Sequence, residues 1–263
     1  MDGLAAYLPL ILFLAVVALG AGVWTVIKSR SIAPTGQIRV IGLGGGGSNA
    51  VNSMVRSGTR GVDFIACNTD VQALAGSAAK NRLRIGRAVT RGRGAGGDPD
   101  VGRRAAEEDA DRIGRALAGS ELVFVTAGLG GGTGSGAVPV VARLAAEQGA
   151  LTIGIVTRPF AFEGEKRRAV ANAAAEELRG AVDALIVIPN DRVRMVVDDA
   201  TSILEAFAAV DEVLSEGVRG VMDIITKPGL VNLDFADVRA VLADGGIALL
   251  GTGVAEGPDR AAV

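Results

Sequence analysis

Hydrophobic and polar positions change their period several times along this chain. Leu4–Ile27 runs for 24 residues without a charge. As a helix it would rise about 36 Å, enough to cross a bilayer core with some tilt. Beyond Ser29–Gly36, short apolar runs alternate with helix-period stretches. The apolar runs are Gln37–Leu43, Phe64–Asn68, Glu121–Thr126, Leu151–Val156 and Ala184–Ile188. They are largely apolar on successive positions, which predicts strands buried on both faces. Helical patterns fall between them: one ending near Val55, then Asp100–Leu117, Ala137–Gln148 with Pro139 in its first turn, and about Glu165 to Arg179. The longest is Ser202–Thr226, where Ile203, Phe207, Val210, Leu214, Val218, Val221 and Ile225 make one stripe that Lys227-Pro228-Gly229 closes. Strands alternating with helices predict an α/β fold, a Rossmann-like and mostly parallel sheet flanked by helices, with one long helix.

The flanks of the first apolar run set its expected role. Tyr7 and Trp24 lie near its ends, Asp2 precedes it, and Lys28 and Arg30 follow it. This predicts an uncleaved transmembrane helix at 4–27 in the cytoplasmic membrane, the N-terminus outside and the bulk of the chain in the cytoplasm, with 28–36 as a linker. A cleaved signal peptide fits less well, because a basic n-region is missing and the run exceeds a usual h-region.

Composition then removes whole classes of chemistry. The chain has 263 residues, a net charge of −2, no histidine and one cysteine, Cys67. A Ser-His-Asp triad, histidine-ligated zinc and an intrachain disulfide are all excluded. The balance of charge makes no case for nucleic acid. Chemistry is left to carboxylates, backbone amides and a bound metal.

The glycines supply the candidate site. Ala127–Gly136 (AGLGGGTGSG) follows a strand and precedes a helix, so its N–H groups can approach a phosphate, with the hydroxyls of Thr133 and Ser135 among them. Gly42, Gly44 and Gly47 match G-x-G-x-x-G, and Asp63 lies 21 residues after Gly42. On that stretch alone a nicotinamide-dependent oxidoreductase competes. Thr90–Pro99 is a third glycine-rich loop, and Asn68-Thr69-Asp70 puts polar groups at a strand's C-terminal edge. Three such loops suit a nucleotide with several phosphates. A P-loop is excluded, since none of the four lysines follows a glycine. Taken singly, Asp211 reads as an exposed helix carboxylate. Asp234 and Asp237 read as a helix cap and its matching acid.

Taken in order, these segments resemble the FtsZ family of tubulin-like GTPases. IRVIGLGGGGSNAVNSM, FIACNTDVQAL, TRGRGAGGDPDVGRRAAEE, GGGTGSG, RPFAFEGEKR, IPND and PGLVNLDFADVRAV all match, from about Gln37 to Val263. The resemblance implies a GTP-binding domain over 37–228, binding GTP or GDP with Mg²⁺. It implies phosphate contacts from Gly44, Gly45, Gly46, Gly47 and Asn49, with Gly130, Gly131, Gly132, Thr133, Gly134, Ser135 and Gly136. Gly94, Ala95, Gly96 and Gly97 would approach the γ-phosphate, and Asp70 would also belong to the nucleotide site. Thr157, Pro159, Glu163 and Arg167 would face the ribose and nucleotide; Asn190, Phe207 and Asp211 would hold guanine. Asn232, Asp234 and Asp237 match the family's catalytic loop, which acts on the GTP of the adjacent subunit in a head-to-tail filament. The implied function is a filament-forming GTPase of cell division, with other division proteins as further partners and no nucleic acid.

Departures from the family pattern qualify this. Ser48 replaces a usual glycine and Asp98 a usual asparagine. The apolar N-terminal segment is additional. Gly246–Gly251 resembles the first strand of a second domain, so 229–263 is expected to hold the catalytic loop, a helix and the start of a truncated domain. A non-hydrolysing, GTP-binding regulator of filaments is the alternative.

Overall fold

The computed structural model describes residues 37–194, 201–226, 235–243 and 245–248. The predicted span Leu4–Ile27 lies outside them. Among the described residues no helix is long and apolar enough to cross a membrane.

In chain order the elements are β1 (Gln37–Leu43), α1 (Gly44–Arg56), β2 (Asp63–Asn68), α2 (Val71–Ala75), β3 (Asn81–Arg84), α3 (Arg87–Thr90), α4 (Pro99–Glu108), α5 (Ala110–Leu117) and β4 (Ser120–Gly128). They continue with α6 (Gly132–Ala146), β5 (Leu151–Arg158), α7 (Glu165–Arg179), β6 (Ala184–Pro189), α8 (Asn190–Arg194), α9 (Ile203–Thr226), α10 (Phe235–Leu242) and β7 (Gly246–Ile247). The strands form one parallel sheet in the order β3-β2-β1-β4-β5-β6-β7. The order reverses between β1 and β4, so the chain leaves these neighbours towards opposite faces and opens a crevice beyond their C-terminal ends.

The apolar runs are continuous because both faces are covered. Ile41, Val123 and Val125 pack with Ala105, Ile113, Val141 and Leu178 on one side. Val40, Leu122 and Phe124 pack with Val51, Met54, Leu214 and Val218 on the other. Neighbours along a strand therefore enter different cores, as a period of two requires. Leu214, Val218 and Val221 of the α9 stripe seal the second core, whereas Val210 packs with Phe160 and Val193 in a third cluster and Ile203 is exposed.

The structure departs from the sequence pattern in three places. The polar helix predicted over Asp100–Leu117 is two helices, α4 and α5, parted at Asp109. Asp109 is buried; its carboxylate accepts the Gly86 N–H at 2.8 Å and pairs with Arg112 at 2.7 Å. Strand β3 has no counterpart in the apolar pattern. Only Leu83 of its four residues is buried, as suits an edge strand. The glycine stretches expected as loops are helical in large part: α1 starts at Gly44, directly after β1, and α6 starts at Gly132, midway through Ala127–Gly136, which puts Pro139 well inside the helix. At the far edge, Gly246–Ile247 pairs with β6, so among the described residues it extends the same sheet.

Candidate functional site

Helical glycine is about 1 kcal/mol less favourable than alanine, so runs of it need a reason. Here the reason is contact. A Cβ on Gly47 would stand 2.4 Å from the Thr126 carbonyl oxygen, and one on Gly136 would stand 1.9 Å from that of Pro99. Gly44 has a φ of +69° and abuts the Gly134 amide. These glycines bring α1 onto β4 and α4 onto α6. The N-termini of α1 and α6 therefore open side by side, and their unpaired N–H groups and aligned dipoles favour an anion.

Beyond these termini lies a cavity of about 400 Å³. Its lining includes Gly45, Gly46 and Asn49 from α1, and Gly131, Gly132, Thr133 and Gly134 at the start of α6. Ala95 comes from the loop before α4; Thr157 is near the end of β5 and Pro159 directly follows it; Glu163 and Arg167 come next in the chain. Asn190, Phe207 and Asp211 complete the other end. These fifteen sequence-predicted residues come from segments spread over more than 160 positions, and the C-terminal edge of one sheet brings them together.

The remaining predicted residues do not line the cavity. Gly44, Gly47 and Gly136 serve the close packing described above. Gly130 packs on Arg167 and Pro159, and its N–H donates to Ser135 Oγ at 2.8 Å, so Ser135 holds the turn. Asp70 caps α2, accepting from the N–H groups of Gln72 and Ala73, and pairs through its backbone with Arg93. A Cβ on Gly94 would touch Asp70, and Gly96 has a φ of +60°. Gly97 lines the cavity too, as do Gly128 and Leu129 of the Ala127–Gly136 stretch; Val210 and Leu214 also line it and were not expected. Val210 and Leu214 lay in the apolar stripe. Their spacing from Phe207 and Asp211 puts all four on one helix face, a signal that periodicity contained but assigned wholly to the core.

The two ends differ in chemistry. At the far end Phe160 is buried, with Phe162 stacked on it at 4.9 Å and Phe207 edge-on at 5.3 Å. Burial pushes the Asp211 carboxyl up to about 7. Asn190 is 4% exposed, and its Oδ1 has no hydrogen-bond partner among the described residues. An aromatic face beside a carboxylate and a buried amide suits a planar base with several donors. Glu163 is already engaged: one oxygen accepts the Phe160 N–H at 2.9 Å and the other pairs with Arg167. Cys67 is buried below the sheet edge, and burial raises its thiol far above the usual range, so it is no nucleophile.

Of the predicted catalytic residues, Asn232 and Asp234 lie outside the described residues. Asp237 is exposed on α10. Two residues on, Arg239 donates to the Gly149 carbonyl at 2.6 Å. Gly149 precedes β5, and Gly246 of β7 pairs with Ala184, the first residue of β6. Helix α10 is therefore tied to the N-terminal edge of the sheet, opposite the cavity.

Residues 37–198 match the Tubulin/FtsZ family, GTPase domain. The chain is similar to FtsZ of M. jannaschii, solved as an empty dimer: 44% identity, a TM-score of 0.78, covering 81% of this chain and 62% of that one. A W319Y mutant of M. jannaschii FtsZ gives 40% identity and a TM-score of 0.77, over 88% of this chain and 68% of that one. CetZ2 from Haloferax volcanii, a GTPγS-bound protofilament, gives 28% identity and a TM-score of 0.70, over 80% and 64%. The chain thus spans under two thirds of the first FtsZ's length. A family match across more than half of the chain, on the strands and glycine-rich termini that build the cavity, shows that the chain belongs to the Tubulin/FtsZ family and carries its GTPase domain.

Proposed function

We propose that the protein binds GTP in this cavity, hydrolyses it and assembles head to tail into filaments of the FtsZ type. The observation that carries this reading is the polarity of the cavity. Two helix N-termini meet at one end, and Asp211, Asn190 and Phe207 stand at the other. A carboxylate accepts from both N1–H and the N2 amine of guanine, which adenine does not offer.

Hydrolysis is assigned to a neighbour's acids. Asp237 sits at the edge of the sheet away from its own cavity, so it reaches a γ-phosphate only in a second copy. There Asp237, with Asn232 and Asp234, positions or deprotonates the attacking water. Among the described residues no three acidic or cysteine side chains converge on a metal position, and Asp70 Oδ1 is engaged in its cap. These residues fit a Mg²⁺ carried on phosphate oxygens and water, which would neutralise charge on the phosphates.

The apolar run Leu4–Ile27 supports a role at the cytoplasmic membrane, with the GTPase domain inside and cell division as the setting. GTP turnover by the full chain in mild detergent with Mg²⁺, over a range of protein concentrations, tests the reading. Specific activity rising with concentration supports it. Turnover independent of concentration overturns the shared site, and GTP binding without turnover at any concentration favours the non-hydrolysing regulator.

A further inference from the structure

Thr69 follows β2 and is fully buried, and its Oγ1 lies 2.7 Å from Oγ1 of Thr133, 64 residues away. Thr133 lines the cavity in the first turn of α6. From this contact we infer that Thr69 is a positioning residue for phosphate: its hydroxyl donates to Thr133 and so turns the Thr133 proton towards the ligand. The inference rests on the guanine-nucleotide reading of the cavity.

The direction of the bond follows from counting protons. Each hydroxyl has one proton and two lone pairs. Thr133 is the only hydrogen-bond partner of the Thr69 hydroxyl among the described residues. If Thr133 donated, the Thr69 proton would be buried without an acceptor, which is costly. If Thr69 donates, the Thr133 proton is left available to a ligand in the cavity that Thr133 lines. A phosphate oxygen needs a donor there. A lone pair facing it would repel it.

The backbone holds Thr69 in place to do this. Its carbonyl oxygen faces the Thr90 hydroxyl at 3.4 Å, and Thr90 is itself bonded to Gly86 at 2.9 Å. One residue on, Asp70 bridges to Arg93, and the Val71 N–H donates to Gly92 at 3.2 Å. The turn after β2 is therefore strapped to the loop before α4. Sequence reading placed Thr69 among polar groups at a strand edge and gave it no role.

The test is GDP affinity of the full chain, measured by titration, with Thr69→Val, Thr69→Ser, Thr133→Val and the Thr69→Val/Thr133→Val double variant. Thr69→Val keeps the shape and removes the proton; it should weaken GDP roughly ten- to 150-fold, the range for a hydrogen bond to a charged group. Thr69→Ser should restore binding. In the Thr133→Val background Thr69→Val should cost nothing further, whereas a merely structural role would cost the same in both backgrounds. Selectivity for GDP over ADP should not change. Should Thr69→Val fail to fold, Thr69→Ala against Thr69→Ser makes the same comparison. Unchanged affinity in the variant that lacks the proton, or equal loss in both backgrounds, overturns the role of Thr69 alone. A wild-type chain that binds no guanine nucleotide overturns the reading of the cavity and this role with it.

Discussion

Asp211 and Asp237 lie at opposite edges of one sheet. Asp211 lines the cavity beyond the strands' C-terminal ends. The hydrogen bond from Arg239 to Gly149 ties Asp237's helix to the N-terminal edge. From Asp211 to Thr226 is fifteen residues of α9, about 22 Å of rise. The two carboxylates therefore stand on different surfaces of the domain, as the proposal of one acid that binds and one that acts on a neighbour requires.

Mixing variants tests that division. Asp237→Ala should keep GTP binding and lose turnover; Asp211→Asn should lose GTP binding and keep its acid. Turnover of the mixture should exceed the sum of the two alone, because an Asp211→Asn subunit lends Asp237 to a GTP-loaded partner. Turnover equal to the sum would remove the assignment in trans.

Asp211 also makes binding depend on pH. In the proposed binding mode guanine donates to the carboxylate, so the ionised form binds. With the free carboxyl at about 7, GTP affinity should rise as pH climbs through 7 and level off above about 8. Stability of the free protein should move the other way. Asp211 holds its proton in the fold but releases it near 3.9 when unfolded. Between these values the folded state binds more protons, so stability falls as pH rises towards 7. Asp211→Asn should abolish both trends, and thermal melts with nucleotide titrations at pH 5 to 8.5 read them.

A second carboxylate shows the opposite sign. Arg103 of α4 grips Glu177 of α7 at 2.7 and 2.6 Å, and Arg143 of α6 adds a third bond at 3.2 Å. The hydrogen bonds from Arg103 hold the Glu177 carboxyl below its ordinary range. The stabilisation is present above the unfolded-state value and lost as pH falls through the folded one. Glu177 is partly exposed, so Glu177→Gln should cost only about 1 kcal/mol at pH 7. Denaturation curves at pH 7 and pH 3 should show that difference shrinking in acid.

Gly136→Ala should destabilise the protein by roughly 1–3 kcal/mol, since its Cβ would enter the Pro99 carbonyl and force α4 away from α6. Urea denaturation measures this. Gly131→Ala, where a Cβ meets nothing within 4 Å, should leave stability nearly unchanged and serves as the control.

Much of the fold was legible because its signals are local. Continuous apolar runs marked five strands to within about two residues, and helix α7 fell where its period put it. Strand β3 was not legible: an edge strand needs one buried side chain, and one Leu makes no pattern. The break at Asp109 was hidden for a different reason. Its partner Gly86 lies 23 residues away, and nothing near Asp109 forbids a continuous helix.

The sequence by itself determined the alternation of strands and helices, the absence of histidine chemistry and the glycine-rich stretches at strand ends, because spacing and composition act over a few residues. The family resemblance rested on those same stretches and named most of the residues that meet in the cavity. Only the tertiary structure decided which glycines border the cavity and which admit a packed helix, that burial lifts Asp211 to about 7, and that Thr69 stands behind Thr133. Each of these depends on how closely two segments distant in sequence approach one another. The order of the strands sets that distance, and no local pattern encodes it.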